Sequence, residues 1–470
     1  MSEPSLGRSS LGERRLGGLL LFLLGAAIFV SFGTLWEHVS PVSMLDFKGV
    51  YYGSRCLLSH CDPYNESALL SSYQAQGVDR PTDPPGMKRV ITLYVNLPTA
   101  FLLTVPFAML PWGAAHMLWM ACTGVSFVLA AYLMWSLCAA CAPRVFGALI
   151  GLFLVGSELL LEVGNAAGIT VSLCAIAVWC LLKERFIPVA IVCFALALAV
   201  KPHVAGLVWL YFLLAGGIHR RRALQILAVN IALCVPMVLW VTHVAPHWLP
   251  EMQANLHTIS AHGAMNDPGP ASVQPWYHGA MTVSLQTVFS VFRDEPAFYN
   301  AATYIVCVPL LLAWAIATLR ARATQANAWL ALAAITALSM LPIYHRQHDS
   351  RLLLLTFPAC AMLWAEGGAL RWIALAVNSA AAVFTADTAM LLLGKLGERL
   401  HPSTATFSGR LVTIFLERPA PLVLLAMSGF YLWVYWKRAW PQPVKQLKST
   451  PNCHKEPLNK VASGKQPLSG

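Results

Sequence analysis

Long apolar runs follow one another along most of the chain, and they restrict its fold more than any other feature. The first run spans residues 16–36, and a helix of about 20 residues crosses the ~30 Å hydrocarbon core of a bilayer. Backbone polar groups inside a bilayer must bond within their own segment, so such runs fold as helices. The sequence therefore predicts an all-α, polytopic integral membrane protein with about twelve transmembrane helices. The other runs lie at residues 114–137, 145–162, 166–182, 186–200, 203–218, 223–243, 298–319, 327–343, 351–365, 372–393 and 420–436.

Composition indicates the same class. Of 470 residues, 57% are hydrophobic and 11% are charged, whereas soluble domains contain about 25% charged residues. The net charge of +11 would suit an anionic partner, but the basic residues stand in short clusters at the ends of the apolar runs. That distribution is typical of topology signals and not of a surface that follows a phosphate backbone. We therefore expect no nucleic-acid partner.

The distribution of Lys and Arg predicts the orientation in the membrane. Arg8, Arg14 and Arg15 precede the first run and no small-x-small cleavage site follows it, so we interpret the run as a retained signal anchor with residues 1–15 in the cytoplasm. One threading then places all later basic clusters on the cytoplasmic side. These clusters are Arg144, Lys183 with Arg185, residues 219–222, Arg320 with Arg322, Arg371, and Lys437 with Arg438.

The same threading predicts one membrane domain, residues 16–438, with external segments at about 37–96, 244–297 and 394–419. It requires that the apolar run at 97–110, of about 14 residues, form a re-entrant or interfacial hairpin and not a full crossing. A full crossing would move the clusters between Arg144 and Arg185 to the other side. If the run forms a hairpin, both termini are cytoplasmic.

The basic tail at 439–470 is rich in Lys, Pro, Ser and Asn and is predicted to be disordered.

Most of the twelve cysteines lie in apolar runs, where Cys behaves as a small hydrophobic residue. Cys56 and Cys61 are different, because they lie five residues apart in the first external segment. In an oxidising compartment they would form either a disulfide or two free thiols, and the spacing does not decide between them. No Cys/His arrangement has the spacing of a zinc site.

Residues 44–52, Met-Leu-Asp-Phe-Lys-Gly-Val-Tyr-Tyr, place a carboxylate just beyond the first apolar run, at the water-facing mouth of a hydrophobic protein. An acid in that position, shielded by the neighbouring aromatic residues, is a candidate general base. The alternative for Asp46 is a helix N-cap, because Asp is also common there.

Lys201 is the second candidate, since Lys201-Pro202 interrupts what would otherwise be one long apolar run. The predicted topology places Lys201 outside, where the positive-inside rule disfavours a cation. A cation kept on that side indicates a ligand, and His203 lies two residues later. The alternative is a lysine that snorkels to the membrane interface.

Residues 342–351, Pro-Ile-Tyr-His-Arg-Gln-His-Asp-Ser-Arg, form a third polar group between two apolar runs. Such a density of polar groups at a membrane boundary is hard to explain by packing and suggests a functional site, with a structural salt-bridge cluster as the alternative. Glu158 and Glu162 are weaker candidates of the same kind, four residues apart on one apolar run.

These features resemble a known family. The spacing of Asp46, the Tyr51/Tyr52 pair, Arg55 and Asp62-Pro63-Tyr64 resembles the first external loop of membrane glycosyltransferases of the GT-C class, and most of all glycosyltransferase family 87. The Lys201-Pro202 break is similar to a Lys-Pro of the family. Gly164-Asn165 resembles its Gly-Gln-x-Asn turn without the Gln, and residues 342–351 resemble a Ser-Pro-x-Ser-Trp-x-His-His segment in which Pro342 and His348 are retained.

The resemblance implies a GT-C-type helical bundle whose external loops cap an active site on the extracytoplasmic face of the cell membrane. It implies a polyprenyl-phosphate sugar donor, with mannose as the family's sugar, a lipid or glycan acceptor, and neither a metal nor another cofactor. Asp46 would be the general base and His348 the second catalytic residue, although His345 competes with it for that role. Substrate contacts are expected from Tyr51, Tyr52, Arg55, Tyr64, Asn165, Lys201, His203, His345, Arg346 and Arg351, with Lys201 on the lipid phosphate.

Two other classes remain as alternatives. A secondary transporter or flippase of a lipid-linked sugar would explain the many spans and the intramembrane charges, but the chain has no internal repeat and its polar groups gather at the ends of the spans. A ligase or polymerase of surface polysaccharide would share the external site without needing the pattern around Asp46.

Overall fold

The computed structural model describes residues 6–76, 85–269, 282–400 and 405–439, and these residues form helices joined by short turns, with one isolated β-bridge. The amino-terminal half contains α1 Leu6–Val39, α2 Leu45–Leu58, α3 Glu66–Ala75, α4 Pro85–Thr92, a 3₁₀ helix Pro98–Ala100, α5 Phe101–Ala108, α6 Trp112–Cys138, α7 Pro143–Val155, α8 Leu159–Glu162, α9 Ala167–Leu182, α10 Ile187–Val200 and α11 Pro202–Leu214. The predicted tail beyond residue 439 lies outside the described residues.

The carboxyl-terminal half contains α12 Gly217–Val244, α13 Trp248–Ser260, α14 Gln286–Phe289, α15 Pro296–Arg320, α16 Gln325–Ser339, a second 3₁₀ helix Gln347–Thr356, α17 Phe357–Glu366, α18 Gly368–Phe384, α19 Asp387–Leu400, α20 Phe407–Glu417 and α21 Pro419–Ala439. The segments predicted to be external therefore contain helices of their own. These are α2 to α4 in the first segment, α13 and α14 in the second, and α20 in the third.

The chain is a multi-pass membrane protein. Six of the described helices are long and apolar enough to cross a bilayer, and a seventh span results if α18 and α19, bent by 68° at their junction, are counted as one. Other predicted runs form shorter apolar helices, among them α9, α10 and α11. The all-α polytopic architecture is thus confirmed, while the number of about twelve crossings stays a prediction.

The run at 97–110 forms a short helical segment, Pro98–Ala108. At 1.5 Å per residue its length is about 16 Å, roughly half of the hydrocarbon thickness. The segment is thus short for a single crossing, as are α10 and α11, and the hairpin stays a prediction.

The predicted signal anchor packs closely against α7 through glycine. A Cβ added to Gly147 would overlap the carbonyl oxygen of Gly18, and one added to Gly25 would overlap the backbone of Gly151. Small residues allow such backbone contact between helices, which is how membrane helices gain packing energy where no hydrophobic effect drives them together. The first helix is therefore an integral part of the bundle.

The centre of the bundle is α16, in which every residue from Ala328 to Ser339 is buried. A short turn leads from it to the 3₁₀ helix Gln347–Thr356, whose ten residues are also all buried. The central helix thus delivers the polar segment 342–351 to the interior of the protein. In the interior, this segment faces α2 and the non-helical residues around Asn165 and Lys201.

Candidate active site

A cavity of about 740 Å³ lies between α2, α4, α13 and the non-helical residues that precede α9 and α11. One wall is apolar and comes mainly from α2, α4 and α13. The other wall carries Asp46, Asn165, Lys201, His203, Arg346 and His348, which the sequence singled out. The polar residues of the whole lining are Asp46, Arg89, Asn96, Asn165, Lys201, His203, Thr258, Ser260, Asn266, Tyr344, Arg346, His348 and Asp349.

The first turn of α2 is held by the end of α8. The Met44 N–H donates to the Glu162 carbonyl at 2.7 Å, and the Asp46 N–H donates to the Val163 carbonyl at 2.9 Å. These carbonyls satisfy N–H groups that a helix start leaves without partners. Gly164 follows with φ of +65°, and a Cβ there would come within 2.8 Å of the Phe47 Cβ. Both the positive φ and the close approach require glycine.

This junction brings Asn165 to Asp46, where the Asn165 Nδ2 donates to the Asp46 Oδ2 at 2.6 Å. The N-cap of α2 is Met44, and Asp46 lies in the first helical turn. The N-cap alternative for Asp46 is therefore wrong, because its carboxylate bonds a side chain from the turn between α8 and α9. Phe47 stacks on Trp119 with ring centroids 4.4 Å apart, which fixes this end of α2.

Lys201 joins Asn165 to the polar segment. Its Nζ donates to the Asn165 Oδ1 at 2.8 Å and to the Asp349 Oδ1 at 3.0 Å. Lys201 stands between α10 and α11, where Pro202 starts the second helix. Asp46, Asn165, Lys201 and Asp349 thus form one connected row along the cavity wall, and we call it the polar row.

The three histidines take different positions around Asp349. His348 lines the cavity, with its Nε2 3.9 Å from the Asp349 Oδ1. His345 is buried behind Asp349, and its Nδ1 lies 3.3 Å from the Asp349 Oδ2. His203 lines the cavity and lies beside His345, with ring centroids 5.1 Å apart. Of the two competing residues, His348 therefore reaches the cavity.

Arg346 is held from two sides. Its Nη2 donates to the Asn266 Oδ1 at 2.9 Å, and its Nε donates to the Tyr344 hydroxyl. The Tyr344 hydroxyl also donates to Asn266, at 2.7 Å. These contacts leave the guanidinium on the cavity wall, facing the negative charge of Asp46.

Burial and charge set the ionisation of the segment. Burial acts to raise the pKa of Asp349, but Lys201 and the neighbouring histidines hold this pKa well below its usual range. Burial lowers the pKa of His348 well below its usual value. At neutral pH the wall therefore carries an ionised Asp349 beside a neutral His348.

Arg351 does not face the cavity. Its Nη2 donates to the Asp387 Oδ1 at 2.7 Å and to the Thr385 carbonyl at 2.9 Å, and its side chain is fully buried. Glu158 lies in the same buried group and accepts from the Thr388 hydroxyl. These residues form a structural cluster of paired charges, and we call the buried residues Arg351, Asp387 and Glu158 the sealed cluster. Glu162 also bonds within the protein, accepting from Ser40 at 2.7 Å.

Four residues expected to bind substrate lie away from the cavity, three of them on α2 and one in the segment that follows α2. The Tyr51 hydroxyl donates to the Leu110 carbonyl at 2.8 Å, and Tyr52 is buried against Tyr73. Arg55 donates to the Ala108 carbonyl at 3.2 Å, and the Tyr64 hydroxyl donates to the Asn96 carbonyl at 2.9 Å. None of the four is among the residues that line the cavity. Cys56 and Cys61, next to them, form a disulfide.

Among the residues that the structure describes, two groups of side chains have the composition of a metal site. His203, His345 and Asp349 bring ligand atoms within 4.8 Å of one another, but the Lys201 ammonium bonded to Asp349 opposes a second cation there. His262, Asp267 and Asp294 form the other group, in which both oxygens of Asp267 already accept backbone N–H groups, from Gly263 and Gly269. Neither group makes a clear case for a metal.

Sequence reasoning missed three residues of the cavity wall. Asp349 was visible only as the acid of a polar decapeptide, and its pairing with Lys201 spans 148 positions. Asn266 and Arg89 come from segments without a distinctive pattern. Arg89 lies on α4, where it is exposed at the cavity.

A sequence model of glycosyltransferase family 87 matches residues 94–343, more than half of the chain. The chain belongs to glycosyltransferase family 87. No match to a curated protein or to a solved structure was found. As a family 87 member the protein is a membrane glycosyltransferase, so the transport alternative loses its basis. The match includes Asn165 and Lys201, whereas Asp46 precedes it and Arg346 follows it.

Proposed function

We propose that the protein transfers a hexose from a polyprenyl-phosphate sugar to a hydroxyl of a lipid or glycan acceptor, with Asp46 as the general base. The supporting observation is that a carboxylate and an arginine line the same cavity. Asp46 and Arg346 both line it, and the Arg346 guanidinium lies within the electrostatic influence of the Asp46 carboxylate. Glycosyl transfer from a phosphate needs one group of each sign.

The base acts on the acceptor. Asp46 uses Oδ2 to accept from Asn165, which leaves Oδ1 for an acceptor hydroxyl. As the hydroxyl oxygen bonds to the anomeric carbon of the sugar, its proton passes to Asp46. Positioned general bases typically contribute on the order of 10² to 10⁴ in rate.

The cation acts on the donor. As the bond between the anomeric carbon and the phosphate oxygen breaks, the electron pair leaves with the phosphate. Arg346 presents a planar guanidinium held by Tyr344 and Asn266, and such a group suits phosphate oxygens. Neutral His348 beside it adds a hydrogen-bond donor without a second full charge. We therefore assign the phosphate to Arg346 and His348, and not to Arg351 in the sealed cluster.

The cavity fits both substrates. Its volume of about 740 Å³ lies within the range of about 300–1,000 Å³ found for small-molecule sites. The apolar wall from α4 and α13 suits a lipid portion, while the polar row suits the sugar and phosphate. Mannose is the first sugar to test because the family resemblance implies it.

The test is transfer by purified protein in lipid, with radiolabelled polyprenyl-phosphate sugars and a panel of membrane lipid extracts. The Asp46→Asn variant keeps the size and polarity of the side chain but removes the base, so we expect transfer to fall by at least ~10²-fold. The matched control is Asp62→Asn, the same change in the same segment at a residue that does not line the cavity. If Asp46→Asn keeps more than about a tenth of the activity, Asp46 is not the base.

Sidedness is tested separately. We propose that the cavity opens on the extracytoplasmic face, as the basic clusters predict. In a Cys-depleted background, single cysteines at Lys48 and at exposed Arg89 should react with a membrane-impermeant thiol reagent in intact cells, whereas a cysteine at exposed Arg221 should react only after lysis. Labelling of position 89 from the cytoplasm would place the cavity on the other face.

A further inference from the structure

We propose that Asp349 and Lys201 are positioning residues that orient Asn165, and through it the base, so that Lys201 is not the donor's phosphate ligand. This inference rests on the proposed role of Asp46. It also revises the role that sequence comparison suggests for Lys201. It gives Asp349 a role, which the sequence analysis did not.

The hydrogen-bond polarity of the polar row runs in one direction. A lysine ammonium has three donors and no acceptor, so the Asn165 atom that faces Lys201 has to be the amide oxygen. That oxygen also accepts from the Ala167 N–H at 2.8 Å. The amide NH₂ is therefore turned to Asp46, and its contact at 2.6 Å leaves the Asp46 Oδ1 for the acceptor.

Asp349 in turn fixes Lys201. The Asp349 side chain is 4% exposed and that of Lys201 is 13% exposed, and at such burial an ion pair is held far more rigidly than at a surface. The Asp349 Oδ2 also accepts from the Arg346 N–H at 3.3 Å and faces the His345 Nδ1. Asp349 thus ties both Lys201 and the backbone of Arg346 to one point of the 3₁₀ helix.

The charge balance separates this role from phosphate binding. The Lys201 ammonium is matched by the Asp349 carboxylate at 3.0 Å, so the pair carries no net charge towards the cavity. Arg346 bonds to a neutral amide and to a hydroxyl, so its positive charge is available to a phosphate. Of Lys201 and Arg346, Arg346 is the one that the donor would meet as a net charge.

The test compares kcat with the KM for the donor in the double variant Lys201→Met/Asp349→Asn. Breaking a buried pair by removing one partner leaves an uncompensated charge and destabilises the fold, whereas removing both partners is often tolerated. The double variant therefore remains testable if either single variant fails to fold. We expect kcat to fall about 10- to 100-fold, the loss that a misplacement of 1 Å produces, with the donor KM changed less than about threefold.

The control is Arg438→Met/Glu366→Gln, which removes an ion pair that does not line the cavity and should leave both constants unchanged. A rise in donor KM with kcat retained would return Lys201 to the phosphate and overturn the proposal. Unchanged constants would overturn it as well. The Asp46→Asn variant separates this failure from that of the proposed function, because Asp46→Asn remains inactive if only the positioning role is wrong.

Discussion

The polar row and the sealed cluster each contain a cation paired with a buried carboxylate. In each pair one partner belongs to the 3₁₀ helix Gln347–Thr356. In the polar row, Lys201 pairs with Asp349 at 3.0 Å on the wall of the cavity. In the sealed cluster, Arg351 pairs with Asp387 at 2.7 Å with side chains that are 0% and 3% exposed. Asp349 and Arg351 are only two residues apart in the sequence, yet the ion pair of Asp349 lines the cavity and the ion pair of Arg351 does not.

The difference follows from the direction of the 3₁₀ helix. Such a helix rises about 2 Å per residue, so Arg351 lies about 4 Å further along its axis than Asp349. His348 and Asp349 stand at its cavity end, while Arg351 reaches the Phe153 ring, 5.5 Å from the guanidinium carbon. One stretch of sequence thus supplies both a reactive wall and a structural support, and neighbouring charges need not share a role.

The largest expected effect is on the sealed cluster. Arg351→Met leaves Asp387 buried without its partner, and breaking such a pair typically destabilises a protein by about 3–5 kcal/mol. Thermal unfolding of the purified protein in detergent measures this. Arg293→Met, which removes an exposed partner of Glu295, is the control and should change the unfolding free energy by about 1 kcal/mol or less. A stable Arg351→Met protein with lost transfer would instead place Arg351 in the active site.

The next effect concerns the cavity wall. Arg346→Gln should raise the donor KM about tenfold or more, because hydrogen bonds to charged groups contribute about 1.5–3 kcal/mol. Steady-state kinetics with increasing donor would detect it. A normal donor KM in a folded Arg346→Gln protein would remove the arginine from the phosphate and weaken the distinction between the two regions.

A smaller effect is expected on the side of α2 that faces away from the cavity. Tyr51→Phe removes the hydrogen bond to the Leu110 carbonyl and should lower the unfolding free energy by about 1 kcal/mol. Donor and acceptor KM values should not change, since Tyr51 does not line the cavity. An increase in either KM would restore the substrate contact that the family resemblance implies for this residue.

The smallest effect is expected at Glu158. Its Oε1 accepts from Thr388, and its buried Oε2 has no hydrogen bond among the described residues. Glu158→Gln keeps the acceptor for Thr388, so stability should change by less than about 1 kcal/mol and transfer should remain unchanged. A clear loss of transfer with the fold intact would show that the sealed cluster is coupled to the cavity.

The sequence predicted the membrane class and the main components of the wall for physical reasons. Apolar length and the position of charges at the ends of runs are local properties, and they pointed to Asp46, Lys201 and the segment at 342–351. The structure then brought Asp46 and Lys201 to one cavity. Their common neighbour Asn165 was recognised only through a weak turn motif.

Long-range pairing was not visible in the sequence. Asp349 contacts Lys201 across 148 positions, and Arg351 contacts Asp387 across 36, and no local pattern distinguishes the two. The direction of the Tyr51 and Tyr52 side chains was not visible in the sequence either. Their place beside Asp46 in sequence suggested a shared site, but successive residues of a helix point in different directions around its axis.

The glycine contact between α1 and α7 has a consequence for how the protein is made. Ribosomes add about 5–20 residues per second, so roughly 5–25 s separate synthesis of the first helix from synthesis of the helix that it packs against. During that interval Gly18 and Gly25 lack the backbone of α7 that they contact in the complete structure. Docking therefore has to wait for α7, and a larger side chain at either glycine should weaken the contact between the two helices without preventing insertion of the first.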